Sequence, residues 1–256
     1  MFDSIGFIGA GRIAHIMLAG WQHAGTALPR VVVFDTSAEA LASLQAAFPQ
    51  VQAGSLSEVA AQALVFAALH PPAMGETLAQ IRPALRPDAV LCSLAPRLGL
   101  TALQEKLGGF GRLARMNPNA TSVVAQGYNP IALGDGLPAD ARAALLALLT
   151  PLGQTPEVPD ALIETYAVVS AMGPTYFWFQ FDALRQQAEA FGLSPADARD
   201  TLRAMLHGAV DTLFASELSP ARVMDLVPVR PLADSEAAIL AMQRQVVGAI
   251  HAKLHA

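Results

Sequence analysis

The chain has 256 residues, with 53% hydrophobic and 14% charged side chains and a formal net charge of −5. This length suits one large domain or two modest ones with a substantial core. The acidic balance, without any basic run, argues against nucleic acid as a partner, and the apolar runs are too short to span a membrane.

The first predicted element is a strand over 4–9, which leads through a glycine-rich turn into a helix predicted over 12–24. The turn reads G-x-G-x-x-A, an order that is typical of dinucleotide-binding βαβ units when it joins a strand to a helix. Gly9 permits the tight turn, Gly11 allows the backbone to approach a pyrophosphate, and Ala14 allows close helix–strand packing. The first N–H groups of the helix would hold the phosphates. The predicted cofactor-binding residues of this turn are Gly9, Ala10, Gly11, Arg12, Ile13 and Ala14.

The second predicted strand, over 30–35, ends at Asp35, which lies 24 residues after Gly11. A carboxylate near this spacing binds the ribose hydroxyls of an adenosine. No arginine stands beside it to receive a 2′-phosphate, so we expect NAD(P)H as the cofactor with NADH favoured. The alternative is that Asp35 caps the next helix, which is predicted over 37–47.

Further strands are predicted over 51–53, 64–69, 89–94 and 112–116, with helical patterns between them. Alternating strands and helices predict a doubly wound parallel sheet with helices on both faces, the Rossmann arrangement. The single cysteine, Cys92, cannot form an internal disulfide and lies in an apolar run. We therefore expect an inert core thiol in a cytoplasmic protein.

A polar segment follows the last of these strands, at the edge of the sheet where ligands bind in open α/β folds. It reads Arg115-Met116-Asn117-Pro118-Asn119. Asn119 offers an amide donor and an acceptor at this edge, which makes it a candidate site residue. The alternative is a plain Asn-Pro-Asn turn without a ligand.

Strand patterns stop after about residue 156, and the rest of the chain reads as helices. Helix starts are indicated at Pro138, Asp160, Ser194-Pro195, Ser219-Pro220 and Asp234. The stretch 155–159 contains two prolines and is the predicted junction. We expect a dinucleotide-binding domain over 1–156 and an all-helical dimerisation and substrate domain over 157–256.

The segment Ser170 to Tyr176 interrupts an apolar helical stretch, because Gly173 and Pro174 both disfavour a continuous helix. A broken helix frees polar backbone groups beside a cleft, so we expect these residues near the substrate. The alternative is a packing kink with no ligand.

Several catalytic patterns are missing from the chain. It has two lysines, Lys106 and Lys253, and neither follows a tyrosine by four residues, which excludes the Tyr-x-x-x-Lys pair of short-chain dehydrogenases. A G-x-S-x-G nucleophile elbow is also missing. These absences favour chemistry supplied by a cofactor that the protein positions.

The chain resembles the pyrroline-5-carboxylate reductases over most of its length. The opening Ile5-Gly6-Phe7-Ile8-Gly9-x-Gly11 is typical of them, and Arg115 to Asn119 is similar to their Arg-x-Met-Pro-Asn. Ser170 to Tyr176, preceded by Glu164, resembles their Ser-Gly-Ser-Gly-Pro-Ala-Tyr segment. The resemblance implies a Rossmann domain, a helical dimerisation domain and hydride transfer from NAD(P)H to a cyclic imine. It also implies cofactor contacts at Leu69, His70 and Pro71, where histidine replaces the family's lysine.

One segment departs from this family. Its Ser-Pro-Gly-Gly-Thr-Thr loop, which holds the substrate carboxylate, should follow Val227, but the chain reads Pro-Val-Arg-Pro-Leu-Ala-Asp over 228–234. Arg230 either replaces the lost carboxylate contacts with a guanidinium fork or is a solvated loop residue.

These observations predict an NAD(P)H-dependent reductase of a cyclic imine or a related small C=N or C=O compound. The candidate catalytic residues are Tyr176, Ser170 and Asn119, and the candidate substrate-binding residues are Gly173 and Arg230. We expect a small-molecule substrate, a homodimer or higher homo-oligomer, and neither a metal, a nucleic acid nor a membrane as partner. The alternative is a nucleotide-sensing or scaffold protein that kept the fold without catalysis.

Overall fold

A computed structural model describes residues 2–69 and 71–255, apart from the side chains of residues 71–73. The chain forms two compact units. The first runs through Gly173 and takes in the chain from Ile250 onward, and the second is Pro174–Ala249. The domain limits predicted from the sequence, 1–156 and 157–256, stay a prediction.

The first unit is built on a sheet in which short strands alternate with helices. Its strands are β1 (Ser4–Ile8), β2 (Arg30–Phe34), β3 (Gln52–Ala53), β4 (Leu64–Ala67), β5 (Val90–Ser93), β6 (Leu113–Met116), β7 (Gly127–Tyr128), β8 (Ile131–Leu133) and β9 (Gly153–Gln154). The main sheet has the order β3-β2-β1-β4-β5-β6-β8, and β7 pairs separately with β9. Neighbours in the main sheet are parallel except for β6 and β8. The first six positions follow the Rossmann order, so the predicted fold class is confirmed.

The helices of the first unit lie between its strands in the chain, except for the last, and those of the second unit follow one another without strands. They are α1 (Arg12–His23), α2 (Ala38–Ala47), α3 (Leu56–Ala60), α4 (Pro71–Ile81), α5 (Leu100–Lys106), α6 (Ala139–Leu149), α7 (Ile163–Tyr166), α8 (Trp178–Ala190), α9 (Pro195–Ala215), α10 (Pro220–Met224) and α11 (Ala233–His255). Ser194 and Ser219 are the N-caps of α9 and α10, as their Ser-Pro pairs predicted.

The core lies on both faces of the main sheet, because successive strand residues point in opposite directions. Phe7 and Phe66 stack at 5.0 Å on one face, where Trp21 of α1 packs beside them. Ile8 lies on the other face with Leu78 of α4. Helices therefore cover both faces, which is the doubly wound arrangement that the alternating pattern predicted.

Cys92 in β5 is fully buried and unpaired. Burial raises the pKa of its thiol far above the usual range, so the group stays protonated. This confirms the prediction of an inert core residue.

The second unit leaves much of its apolar side-chain surface open. In the described residues, α8 and α11 bury no side chain and α9 buries Ala198 alone. Phe179, Phe191 and Phe214 are 67%, 82% and 78% exposed. An exposed apolar surface of this kind marks a protein–protein interface. No helix in the described part of the chain has both the length and the apolar content to cross a bilayer.

Candidate functional site

The glycine-rich turn joins β1 to α1 at the carboxyl edge of the main sheet. Gly9 has a φ of +113°, and a Cβ atom there would lie 2.6 Å from the carbonyl oxygen of Ala68. This position therefore admits only glycine. Gly11 differs, since its φ is −78° and no heavy atom lies within 4 Å of its would-be Cβ. The protein itself requires Gly9, while the space beside Gly11 is open to a ligand.

The N-terminus of α1 faces this open space. Gly11 is its N-cap and supplies no side-chain hydrogen bond, and the first turn contains no acidic residue. The first N–H groups and the positive end of the helix dipole are therefore suited to an anion such as a pyrophosphate. Gly11 and Arg12 are exposed, Ile13 is half-buried, and Ala14 is fully buried in the core. A dinucleotide fits this turn.

Asp35 lies at the end of β2, and its side chain hydrogen-bonds the backbone of the glycine-rich turn. Its Oδ2 accepts a hydrogen bond from Ala10 N at 2.7 Å, and its Oδ1 accepts one from Ser37 N at 2.8 Å. The cap of α2 is Ser37, whose hydroxyl accepts from Ala40 N at 3.1 Å. Asp35 is therefore not the helix cap, and each of its oxygens keeps a further lone pair. Its role at a ribose stays a prediction.

The segment after β4 runs beside the same turn. Ala68 N donates to Ile8 O at 2.9 Å, and Leu69 follows as a half-buried residue. His70 lies outside the described residues, and so does the side chain of Pro71, where α4 begins. The predicted cofactor contacts of these residues stay predictions.

Asn119 is 4% exposed, and its carboxamide contacts its own loop and the interrupted helix. Its Nδ2 donates to the carbonyl oxygen of Ser170 at 2.6 Å, while its Oδ1 accepts from Thr121 N at 2.9 Å and Thr121 Oγ1 at 2.6 Å. The structure thus brings the two predicted site residues together. It does so through the backbone of Ser170, so that the loop after β6 is fixed to the interrupted helix.

The predicted helix interruption is present. Residues Ala167–Ala171 form one π-helical turn, closed by a 2.9 Å hydrogen bond from Met172 N to Ala167 O. A 3₁₀ turn, Gly173–Tyr176, follows before α8 begins. π-Turns inside helices are frequent at functional sites. Gly173 is buried, yet no heavy atom lies within 4 Å of its would-be Cβ, so open space adjoins its backbone.

The two hydroxyl groups predicted to act in catalysis differ in their environments. Ser170 Oγ donates to Tyr166 O at 2.8 Å, within the interrupted helix. Tyr176 belongs to the second unit, and partial burial raises the pKa of its phenol. The phenol is protonated at neutral pH, as in an ordinary tyrosine, and the upward shift of its pKa makes it a weaker acid.

Arg230 also belongs to the second unit and forms an ion pair with Glu236. Both side chains are about half exposed, at 49% and 51%. They line a cleft of about 390 Å³ with apolar side chains, among them Leu232 and Ile239. To replace the missing loop, the Arg230 guanidinium must exchange Glu236 for a substrate carboxylate. This role of Arg230 stays a prediction.

Sequence reasoning missed a buried ionic network around Arg115 of β6. This side chain is 2% exposed and donates to Asp160 Oδ1 at 2.6 Å and to Glu164 Oε1 at 2.5 Å. Glu164 also accepts from Arg97 N, and Asp160 from Leu100 N, both at 2.9 Å. The segment 160–164 is therefore bound to the residues that follow β5. The available signal was an arginine inside an otherwise apolar strand, which requires a buried partner.

Residues 4–97 match the family described as NADP oxidoreductase coenzyme F420-dependent, and residues 160–256 match the pyrroline-5-carboxylate reductase dimerisation family. The second match spans the exposed apolar helices, which confirms the predicted dimerisation domain.

Comparison with individual proteins gives the same assignment. The chain is 30% identical to the pyrroline-5-carboxylate reductase of Pseudomonas aeruginosa over 242 residues, which cover 93% of this chain and 88% of that protein. It is 26% identical to the Escherichia coli enzyme over 229 residues, with 89% and 85% coverage.

Solved structures show the same fold. The Plasmodium falciparum pyrroline carboxylate reductase with NADP bound superposes with a TM-score of 0.77 at 17% identity, covering 99% of this chain and 97% of that one. The Streptococcus pyogenes enzyme gives a TM-score of 0.73 at 20% identity, with 98% and 96% coverage. The 30% identity to the Pseudomonas protein over 93% of the chain, together with the matched dimerisation domain, shows that the chain belongs to the pyrroline-5-carboxylate reductase family of NAD(P)H-dependent oxidoreductases.

Proposed function

We propose that the protein uses NAD(P)H to reduce a cyclic imine or a related small compound with a C=N or C=O bond. The observation that carries this proposal is the glycine-rich turn, in which Gly9 is required by the backbone and Gly11 opens onto a free helix N-terminus. The interrupted helix, held by Asn119 through the carbonyl of Ser170, supports a substrate position at the carboxyl edge of the same sheet.

The glycine-rich turn would hold the pyrophosphate of the cofactor with the first N–H groups of α1. Asp35, already placed by Ala10 N and Ser37 N, would accept hydrogen bonds from the adenosine ribose hydroxyls. A 2′-phosphate beside this carboxylate would bring two negative charges together, so we expect tighter binding of NADH than of NADPH. The bound nicotinamide supplies the hydride that reduces the substrate carbon.

To balance the hydride that the cofactor would deliver to the carbon, the nitrogen or oxygen of the former double bond requires one proton. Tyr176 is the favoured donor, because a phenol is far more acidic than the serine hydroxyl of Ser170. Burial raises the pKa of this phenol, which makes it a weaker acid but leaves it protonated at neutral pH. Ser170 is the second candidate donor, and its hydroxyl would first have to release Tyr166 O. Asn119 would fix the segment that positions the substrate, and the open space at Gly173 would admit the substrate.

The substrate is expected to differ from pyrroline-5-carboxylate. Residues 228–234 contain two prolines and no serine, threonine or glycine, so they offer no hydroxyl donor, and their side-chain N–H donors are those of Arg230. The positive charge of Arg230 is already neutralised by Glu236. An unpaired carboxylate in a closed site costs several kcal/mol, and each 1.36 kcal/mol is about tenfold in rate.

The test is turnover of the purified chain with pyrroline-5-carboxylate and with a panel of uncharged cyclic imines and small carbonyl compounds, using NADH and NADPH in turn. We expect weak or no reduction of pyrroline-5-carboxylate and measurable reduction of an uncharged imine. Turnover of pyrroline-5-carboxylate equal to that of the Pseudomonas aeruginosa enzyme would contradict the substrate assignment. Cofactor binding without any turnover across the panel would contradict the reductase assignment.

The proposed proton donor has a matched control. Tyr176→Phe is expected to lower kcat by about 10²-fold or more while the cofactor Kd is unchanged, since general acids contribute roughly 10²–10⁴-fold. Tyr128→Phe removes a hydroxyl from an exposed tyrosine that packs on Tyr166, and it should leave kcat unchanged. Equal effects of the two substitutions would exclude Tyr176 as the donor.

A further inference from the structure

Two histidines of the last helix meet at one side-chain oxygen of the first unit. His251 and His255 lie one turn apart near the end of α11, and their ring centroids are 4.1 Å apart. Their Nε2 atoms lie 3.2 Å and 3.5 Å from the same atom, Thr165 Oγ1. Two imidazole nitrogens from one helix face therefore converge on a single point beside α7.

The second ring nitrogen of His255 is held by the backbone. His255 Nδ1 lies 2.9 Å from the carbonyl oxygen of His251, and a carbonyl only accepts, so this nitrogen carries the proton. In the neutral ring the lone pair then lies on Nε2, the atom that faces Thr165. Imidazoles that bind metals characteristically donate their other N–H to a carbonyl or carboxylate in this way.

We propose that His251 and His255 form a binding site for one divalent transition-metal ion of the Zn²⁺, Ni²⁺ and Cu²⁺ class, with their Nε2 atoms as the protein ligands. Imidazole nitrogen is a preferred ligand of these ions. Both side chains are exposed, so water can complete the coordination. The hydroxyl of Thr165 lies where it can hydrogen-bond such a water molecule.

The surroundings define what kind of site this is. Within the described residues no group of three or more histidine, cysteine, aspartate or glutamate side chains is arranged to hold a metal. Two protein ligands with open positions predict an exchangeable ion rather than a permanently bound structural one. Among these three metals, the Irving–Williams order predicts the tightest binding for Cu²⁺.

The site would connect metal binding to the docking of the C-terminal turn of α11. Next to the pair, Lys253 O accepts a hydrogen bond from the Arg97 guanidinium, and Arg97 N donates to Glu164. Glu164 in turn binds the buried Arg115. An ion on the two imidazoles would therefore stabilise a turn that contacts the loop after β5, and the folded chain should melt at a higher temperature when the ion is bound.

The experiment uses the full chain without a histidine tag, freed of metal by chelation and dialysis. Cu²⁺ and Zn²⁺ are titrated by calorimetry, and the Cu²⁺ complex is examined by electron paramagnetic resonance. We expect one ion per chain, nitrogen hyperfine structure from two imidazoles, and a melting temperature that rises with metal concentration.

Variants separate this pair from the other histidines. His251→Ala and His255→Ala should each weaken binding at least tenfold, and the double variant should abolish the one-ion stoichiometry. His207→Ala, on α9, is the matched control and should bind as the unchanged protein does. Because both rings are exposed, the variants should fold, which circular dichroism verifies. Unchanged affinity and stoichiometry in the double variant, or no binding by the unchanged chain at micromolar metal, would overturn the proposal.

Discussion

Gly9 and Gly11 lie two residues apart, yet alanine substitution at the two positions should have opposite effects. Gly11→Ala places a methyl group in open space at a φ of −78°, which alanine adopts without strain. Folding stability should therefore change by less than about 0.5 kcal/mol. The same methyl group would stand where the backbone must approach a pyrophosphate. Losing one charged hydrogen bond at about 1.5–3 kcal/mol predicts cofactor binding weaker by roughly 10- to 150-fold.

Gly9→Ala is the matched comparison. Its backbone has a φ of +113°, and the new Cβ would lie 2.6 Å from the carbonyl oxygen of Ala68, a backbone atom that cannot rotate away. Strain in this region costs about 1–3 kcal/mol before the collision is counted. The melting temperature should fall by several degrees, at roughly 2–4 °C per kcal/mol for a chain of this size.

The assay for both variants is a fluorescence titration with NADH alongside thermal melting followed by circular dichroism. The expected pattern is normal melting with weak binding for Gly11→Ala, and lowered melting for Gly9→Ala. If folded Gly11→Ala bound NADH within threefold of the unchanged protein, the turn would be a structural feature and not a phosphate site. Normal melting of Gly9→Ala would contradict the argument from φ and the Ala68 carbonyl.

Three further predictions concern the cofactor, the assembly and the ionic network. Asp35→Ser should bring the NADH and NADPH dissociation constants at least tenfold closer together, and tighter NADPH binding by the unchanged chain would contradict the role of Asp35. Phe179→Glu, at a 67% exposed position, should convert the homodimer to monomer at low micromolar concentration in light scattering, since obligate interfaces above about 2,000 Å² depend on apolar contact; a dimer that persists would place Phe179 outside the interface. Glu164→Ala should lower the free energy of unfolding by about 3 kcal/mol, because it leaves the buried Arg115 with one carboxylate. Glu157→Ala, which breaks an exposed ion pair, should cost less than about 1 kcal/mol in the same denaturation experiment, and equal losses would refute the burial argument.

The strands of the main sheet were largely predictable because each carries its own local signal. The six predicted strands are present with ends within two residues of those observed. Five of them are short, largely apolar runs between turn residues, while Gln52–Ala53 is an exposed edge strand of two residues. Ile131–Leu133 was missed because three residues after an Asn-Pro pair give too short a pattern. Its antiparallel pairing with β6 arises from the turn that returns the chain to the sheet edge.

The site was predictable only where its residues are neighbours in the sequence. The glycine-rich turn and the interrupted helix are local patterns, and both are present. The bond from Asn119 to Ser170 joins residues 51 positions apart, and no local pattern reports such a contact. The hydrogen bond from Ala10 N to Asp35 likewise joins residues that are distant in the sequence, and it depends on the parallel pairing of β1 with β2.

The pairing of Arg115 with Asp160 and Glu164 determines which N-terminal fragments of the chain can fold stably. The two carboxylates lie 45 and 49 residues after the arginine, beyond the proline-containing stretch at 155–159. A fragment that stops at residue 156 would keep a buried guanidinium and lose both of its counter-charges, at a cost of several kcal/mol. A fragment that continues through Gly173 would keep them. Limited proteolysis within 155–159 should therefore release an N-terminal fragment that aggregates or is degraded, although the cleavage removes none of the strands of its main sheet.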